Sequence, residues 1–161
     1  LSQTTGAKSR SVLVFRLGRE WFALPASCCQ QVLIPVSAHI LPHRTNATLL
    51  GVVNVQGQML LKVSLREILD YQPNPNPPNL KAYPRMVVIE KTVANEPETW
   101  VLDVDELEGL QTVLEHRLET VAAGVTAANG ICTHRVFVWA ERRVSLLDDN
   151  RLFDALRQRA L

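Results

Sequence analysis

The sequence predicts an all-β protein with short helices and a helix at the C-terminus, on three observations. First, "SVLVFRLGREWFALP" (11–25), "GVVNVQGQMLLKV" (51–63) and "RVFVWAERRVSLLD" (135–148) each read as strand, tight turn and return strand. Second, "DYQPNPNPPNLKAYP" (70–84) sets prolines and asparagines where neither a helix nor a central strand can continue. Third, "NRLFDALRQRAL" (150–161) places Leu152, Phe153, Leu156 and Ala160 on one helical face.

Taken in order, Val12 to Leu17 supply β-formers on both faces, Gly18-Arg19 makes a turn, and Trp21 to Leu24 return. Pro25 suits a first helical position, and "ASCCQQVL" (26–33) reads as about two helical turns. "LIPVSAHIL" (33–41) reads as extended, with Pro35 marking an edge or a bulge. Pro42 to Thr48 is loop. Gly51 opens the second hairpin, which turns at Gln56-Gly57, and Leu65 to Leu69 form a short helix. After the proline-rich break, Met86 to Glu90 is a strand and "TVANEPE" a polar turn. "TWVLDVDELEGLQTVL" (99–114) is mostly extended, and 115–123 fits helix or loop equally. A third hairpin turns near Ala140 to Arg142, and Asn150 can cap the terminal helix. Laying Ser64 over Asp148 puts Val53 on Phe137, Leu60 on Val144, Val63 on Leu147 and Ile68 on Leu152. Few identities survive, so duplication and mere β periodicity both stand open.

The composition narrows the function. Apolar residues are 47% and charged residues 20%, enough to bury a real core, and a net charge of +1 offers nothing to a polyanion. No apolar run approaches the roughly 20 residues of a membrane span. The polar start, Leu1 to Ser11, lacks the apolar core of a signal peptide. No initiator Met heads the chain, which leaves a longer natural N-terminus open. Cys28, Cys29 and Cys132 form no C-x-x-C pair, so they read as reduced thiols of a cytosolic protein rather than zinc ligands.

Chemistry-bearing constellations are missing. His39 and His43 have metal-helix spacing, but Pro42 lies between them. His116 and His134 stand apart. Asp103, Asp105, Glu106 and Glu108 form an acidic run, which reads as a solvated strand edge unless a second reacting group joins it. No phosphate loop, nucleophile elbow or zinc-protease motif occurs. Trp21, Trp100 and Trp139 sit among apolar neighbours on predicted strands, which suits core packing better than base stacking. No enzyme, cofactor or metal is expected. An all-β chain of this kind binds through strand edges and loop tips. The alternative is an OB-like binder of nucleic acid or oligosaccharide.

The hairpin "GVVNVQGQMLLKVSLREIL" resembles the CheW-like domain of bacterial chemotaxis systems, whose pattern is close to G-V-hydrophobic-N-L-R-G followed by P-V-hydrophobic-D-L-R. "VLVFRLGREWFALP" resembles the family's opening hairpin, and "VLDVDELEGL" its central V-D-x-V stretch. The resemblance spans roughly Ser11 to Leu156. It implies two five-stranded SH3-like barrels side by side in one CheW-like domain, 11–161. Lobe one would cover about 11–70, a connector 71–84 and lobe two 85–161, behind a flexible tail 1–10. It further implies a non-enzymatic cytoplasmic adaptor. Its partners would be the regulatory domain of a CheA-type histidine kinase and the cytoplasmic tip of a chemoreceptor, with no nucleic acid and no membrane insertion. The family's partner surfaces fall at Cys29, Gln31, Val32, Asn54, Val55, Gln56, Gly57 and Gln58. Four departures are clear. Gln56 replaces the family's Arg, Lys62 a common Pro and Ser64 an Asp, and "CCQQV" (28–32) replaces [KR]-V-x-E-[IV].

Overall fold

Strands β1 (Ser9–Leu17) and β2 (Glu20–Pro25) open the computed structural model of the chain, which describes residues 8–40, 42, 46–70, 82–120 and 132–161. Gly18-Arg19 is the two-residue turn between them, with Gly18 at φ 59°. β1 begins inside the stretch expected to be a tail. The helix expected at 26–33 is not there. A single 3₁₀ turn, Ala26–Cys28, leads into β3 (Cys29–Leu33). The reason is tertiary: Gln31, Val32 and Leu33 pair with Val88, Val87 and Met86, and a sheet partner overrides weak local helicity.

β4 (Leu49–Val55) and β5 (Gln58–Val63) make the second hairpin, and α1 (Leu65–Ile68) follows. Ser64 caps α1 by accepting the Glu67 N–H at 3.3 Å. The expected connector falls largely on 71–81, outside the described residues. Then come β6 (Arg85–Val93), β7 (Glu96–Val104), β8 (Glu106–Leu114), the short β9 (Glu119–Thr120), β10 (Cys132–Trp139), β11 (Arg142–Leu147) and α2 (Asp149–Ala160). Residues 115–117, undecided from sequence, are a 3₁₀ turn. The cap of α2 is Asp148 rather than Asn150, its Oδ1 accepting the Arg151 N–H at 3.2 Å.

The protein is mostly β, in two sheets with few helices, as the sequence predicts. One sheet runs β8-β1-β2-β11-β10-β9, the other β3-β6-β7-β5-β4. Each sheet takes strands from both sides of the stretch 71–84. β1 and β2 join the second half's β11 through a parallel pairing, Phe22 opposite Ser145. β6 and β7 join the first half's β5 likewise, Val101 opposite Lys62. Each half lends its opening hairpin to the other's sheet. The open question of duplication gains three equivalences: a hairpin then a side-chain-capped helix (β4-β5-α1, β10-β11-α2), a parallel seam in each sheet, and a register shift near the start of both crossing strands, β3 and β8.

Alternation along the strands divides the core. On one face of the six-stranded sheet, Val12, Val14, Ala23, Phe137 and Val144 pack together. Val53, Val55, Leu60, Met86 and Val101 do so on the five-stranded sheet. The opposite faces, with Phe15, Phe22, Ile89, Trp100 and Leu102, share the largest cluster with α1 and α2. Leu152, Phe153, Leu156 and Ala160 of α2 are fully buried in it, each large side chain contributing about 1.5–3 kcal/mol.

Asp105 marks the point where the chain leaves one sheet for the other. Its N–H donates to the Arg16 carbonyl at 2.9 Å, and its Oδ2 accepts the Gly18 N–H at 2.7 Å and pairs with Arg66 of α1. Arg16 itself is buried, with Nε 3.1 Å from Glu106.

Candidate functional site

The β4–β5 hairpin is built for a narrow, exposed tip. Gln56 and Gly57 both have positive φ, 52° and 87°, the pattern of a type I′ turn whose twist matches the strands. Asn54 locks it, its Oδ1 accepting the Gly57 N–H at 2.8 Å. Val55 points down into the core, while Gln56, Gly57 and Gln58 are exposed. Of the five candidate positions here, four are exposed, Asn54 among them, and Val55 alone is buried.

The β3 candidates differ among themselves. Val32 is exposed, and Gln31 and Cys29 are half-buried. The Cys28 and Cys29 thiols both donate to the Pro25 carbonyl, at 3.2 and 3.6 Å. The neighbouring Cys28 side chain, then burial, push Cys29 well above the ordinary thiol range, so it is no nucleophile at neutral pH. β3 and β4 are the two edges of the five-stranded sheet, so the candidates share a sheet but not an edge.

The segment 34–40 links these edges. His39 and Val52 exchange two backbone hydrogen bonds, at 2.8 and 2.9 Å. Lys62, buried, donates from Nζ to the Val36 carbonyl at 3.2 Å and pairs with Asp103 at 2.8 Å. The Val36 N–H is directed at the Met86 sulfur, 3.5 Å away. Along this strap Ile34 and Ile40 are 77% and 82% exposed, and Val36 is exposed too. Sequence reasoning missed them as surface residues. The available signal was an apolar run beside Pro35, a residue that keeps a strand at a sheet's edge.

The other candidates have structural work. In the acidic run, Asp103 faces Lys62, Asp105 faces Arg66, Glu106 faces Arg16 and Glu108 faces Arg142. Four carboxylates each held by a different cation are anchors, not an acid–base pair. His39 is fixed by its backbone, His116 lies in the 115–117 turn, and His43 and the side chains of Cys132 and His134 lie outside the described residues. Among the described residues, no three His, Cys, Asp or Glu converge on a metal position. Trp100 is buried, its Nε1 donating to Glu98 at 2.8 Å. Trp21 lies under the Arg142 guanidinium at 4.2 Å, and Trp139 packs against the cluster on that sheet. Among the described residues, no helix is long and apolar enough to cross a membrane.

A family model described as the CheW-like domain matches residues 11–157. No curated protein sequence matches significantly. Among solved structures, the scaffolding protein TtCheW from Thermoanaerobacter tengcongensis superposes with a TM-score of 0.71 at 17% identity, over 95% of this chain and 93% of that one. At that identity the likeness speaks for the fold, two SH3-like barrels.

Proposed function

The chain belongs to the CheW-like domain family, and from that premise we propose that it is a non-enzymatic adaptor of a bacterial chemotaxis-type pathway. In this reading it works in the cytoplasm, bringing a chemoreceptor's cytoplasmic tip together with the regulatory domain of a CheA-type histidine kinase. The observation that carries the reading is the family match, which takes in both sheets and most of α2.

The geometry of the hairpin agrees with a docking role. Asn54, Gln56, Gly57 and Gln58 present polar atoms at an exposed tip, which the Asn54 bond to the Gly57 N–H and the buried Val55 hold in shape, limiting the entropy lost on binding. Val32 adds an apolar contact on β3, with Cys29 and Gln31 holding the strand's position. The OB-like reading draws no support from Trp21, Trp100 and Trp139, which are engaged in packing.

Affinity capture tests the proposal. The immobilised chain should retain a kinase regulatory domain and a soluble receptor cytoplasmic fragment when each is offered separately. Retention of neither would remove the adaptor reading.

A further inference from the structure

The thiols of Cys28 and Cys29 converge, which adjacent side chains of a regular strand do not, since those point to opposite faces. Cys28 ends the 3₁₀ turn and Cys29 begins β3. That change of backbone lets both sulfurs reach one acceptor, the Pro25 carbonyl, at 3.2 and 3.6 Å. Both are free thiols. Cys28 is buried in the largest core cluster, and Cys29 packs against it. Cys28 also lines a surface depression with Ser27, Gln30, Glu90, Lys91 and Thr92, which gives a small ion a way in from solvent. Both cysteines stand in the run where this chain departs from the family pattern.

We propose that this pair is a two-sulfur binding site for a soft monovalent cation of the copper(I) class. The donor count and type select the ion. Zinc takes four ligands, and among the described residues no group of three His, Cys, Asp or Glu gathers here or elsewhere. Calcium and magnesium require oxygen donors. Copper(I) is selected by thiolates and is satisfied by two of them. A Cys28–Cys29 disulfide is the competing product, and geometry opposes it. Adjacent Cα atoms stand about 3.8 Å apart, short of the roughly 4.4–6.8 Å that a disulfide favours. An inserted ion lengthens the bridge by one atom and removes that conflict. Binding breaks two S–H bonds, forms two S–Cu bonds and releases two protons to solvent, with no change of oxidation state. The neighbouring Cys29 side chain holds the Cys28 thiol below its ordinary range, which eases the first deprotonation. The charge of the ion drives the second.

The probe is copper(I) itself, added without oxygen to the reduced full chain in competition with a chromogenic copper(I) chelator. The native chain should withdraw one ion per molecule, and X-ray absorption at the copper edge should show two sulfur neighbours and no nitrogen or oxygen. Loss of an outer-shell partner alone weakens a metal site by roughly 10–100-fold. Cys28→Ser and Cys29→Ser, which each remove one of only two ligands, should therefore weaken retention by about a hundredfold or more. Cys132→Ser should leave it unaltered. Zinc(II), offered against a zinc indicator, should not be retained. Failure to withdraw copper(I) from the chelator would overturn the proposal. So would retention that survives both Cys28→Ser and Cys29→Ser, retention lost in Cys132→Ser, or tight zinc binding. The absorption spectrum of the native chain decides even where a Ser variant fails to fold: a nitrogen, an oxygen or a third sulfur bound to the ion contradicts a two-thiolate site.

Discussion

A Cβ placed on Gly51 would stand 2.4 Å from the carbonyl oxygen of His39, closer than any non-bonded carbon approaches a backbone oxygen. Gly51 also has φ 147°, which an L side chain rarely adopts. The strap can pair with Val52 only because residue 51 has no side chain. Gly51→Ala should cost about 2–4 kcal/mol, combining backbone strain with displacement of the strap. Urea midpoints of the two proteins measure this, and equal midpoints would mean that the strap is held by other contacts.

The two-residue turns make a paired prediction about backbone conformation. At Gly57 a Cβ would meet nothing within 4 Å, so Gly57→Val suffers only from its positive φ, about 1–2 kcal/mol. Ala140 and Glu141 occupy the same kind of turn with φ 50° and 63°, and neither is glycine. Glu141→Gly should therefore stabilise by roughly 0.5 kcal/mol, relief of strain being partly offset by a freer unfolded chain. Opposite signs in thermal melts are the expected outcome. Equal signs would refute the turn assignment.

These turns were legible because a two-residue loop is a local feature: Gly18-Arg19 and Gln56-Gly57 stand between runs of β-formers that leave no other place to reverse. The face of α2 was legible for the same reason, since Leu152, Phe153, Leu156 and Ala160 carry the helical period on their own. Information that lies in distant residues was not legible. β3 is a strand because of Met86, Val87 and Val88, and nothing in "ASCCQQVL" announces them. The exchange of hairpins depends on the parallel seams at Phe22 and Val101, which no local pattern encodes. Arg16 is buried against the Glu106 carboxylate and the Gly18 carbonyl, and no local pattern announces the former. At the candidate site, the tip was readable as a turn and a family motif. The strap was not, because its exposure follows from how few of its side chains the sheet can cover.

Glu115 gives the fold a defined acid sensitivity. Its carboxylate accepts from Arg135 of β10 and Arg10 of β1, each at 2.8 Å, tying two non-adjacent strands of the six-stranded sheet. The hydrogen bonds from Arg135, then Arg10, hold its pKa below the ordinary carboxylate value of 4.5. A lowered folded-state pKa means that the contribution is complete above the unfolded value and is lost as pH falls through the folded one. Glu115→Gln should thus be less stable than the native chain at neutral pH, and the deficit should close in acid, once the pH lies below the folded-state pKa. Urea midpoints at the two pH values read the difference. A gap that persists undiminished in acid would assign the stabilisation to shape rather than charge.

Gln56 should tune partner choice. The family's usual residue there offers a charged, planar donor, and a neutral amide contact is worth about half a charge-assisted one. Gln56→Arg should strengthen binding to a generic CheA-type regulatory domain or receptor tip by roughly 0.5–2 kcal/mol. Folding stability should stay nearly unchanged, because the side chain is exposed. Titration calorimetry of both variants against both partners decides. If neither partner distinguishes Arg from Gln, residue 56 is not a contact.

The central claim is coupling, and coupling is a three-component property. The most direct measurement is sedimentation of receptor-bearing membranes with a CheA-type kinase, with and without this chain. The account predicts little kinase in the pellet without the chain, a saturable rise as the chain is added, and stoichiometric recovery of the chain itself. Kinase recovery that is independent of the chain, or a chain that stays in the supernatant while kinase and receptor are both present, would contradict it.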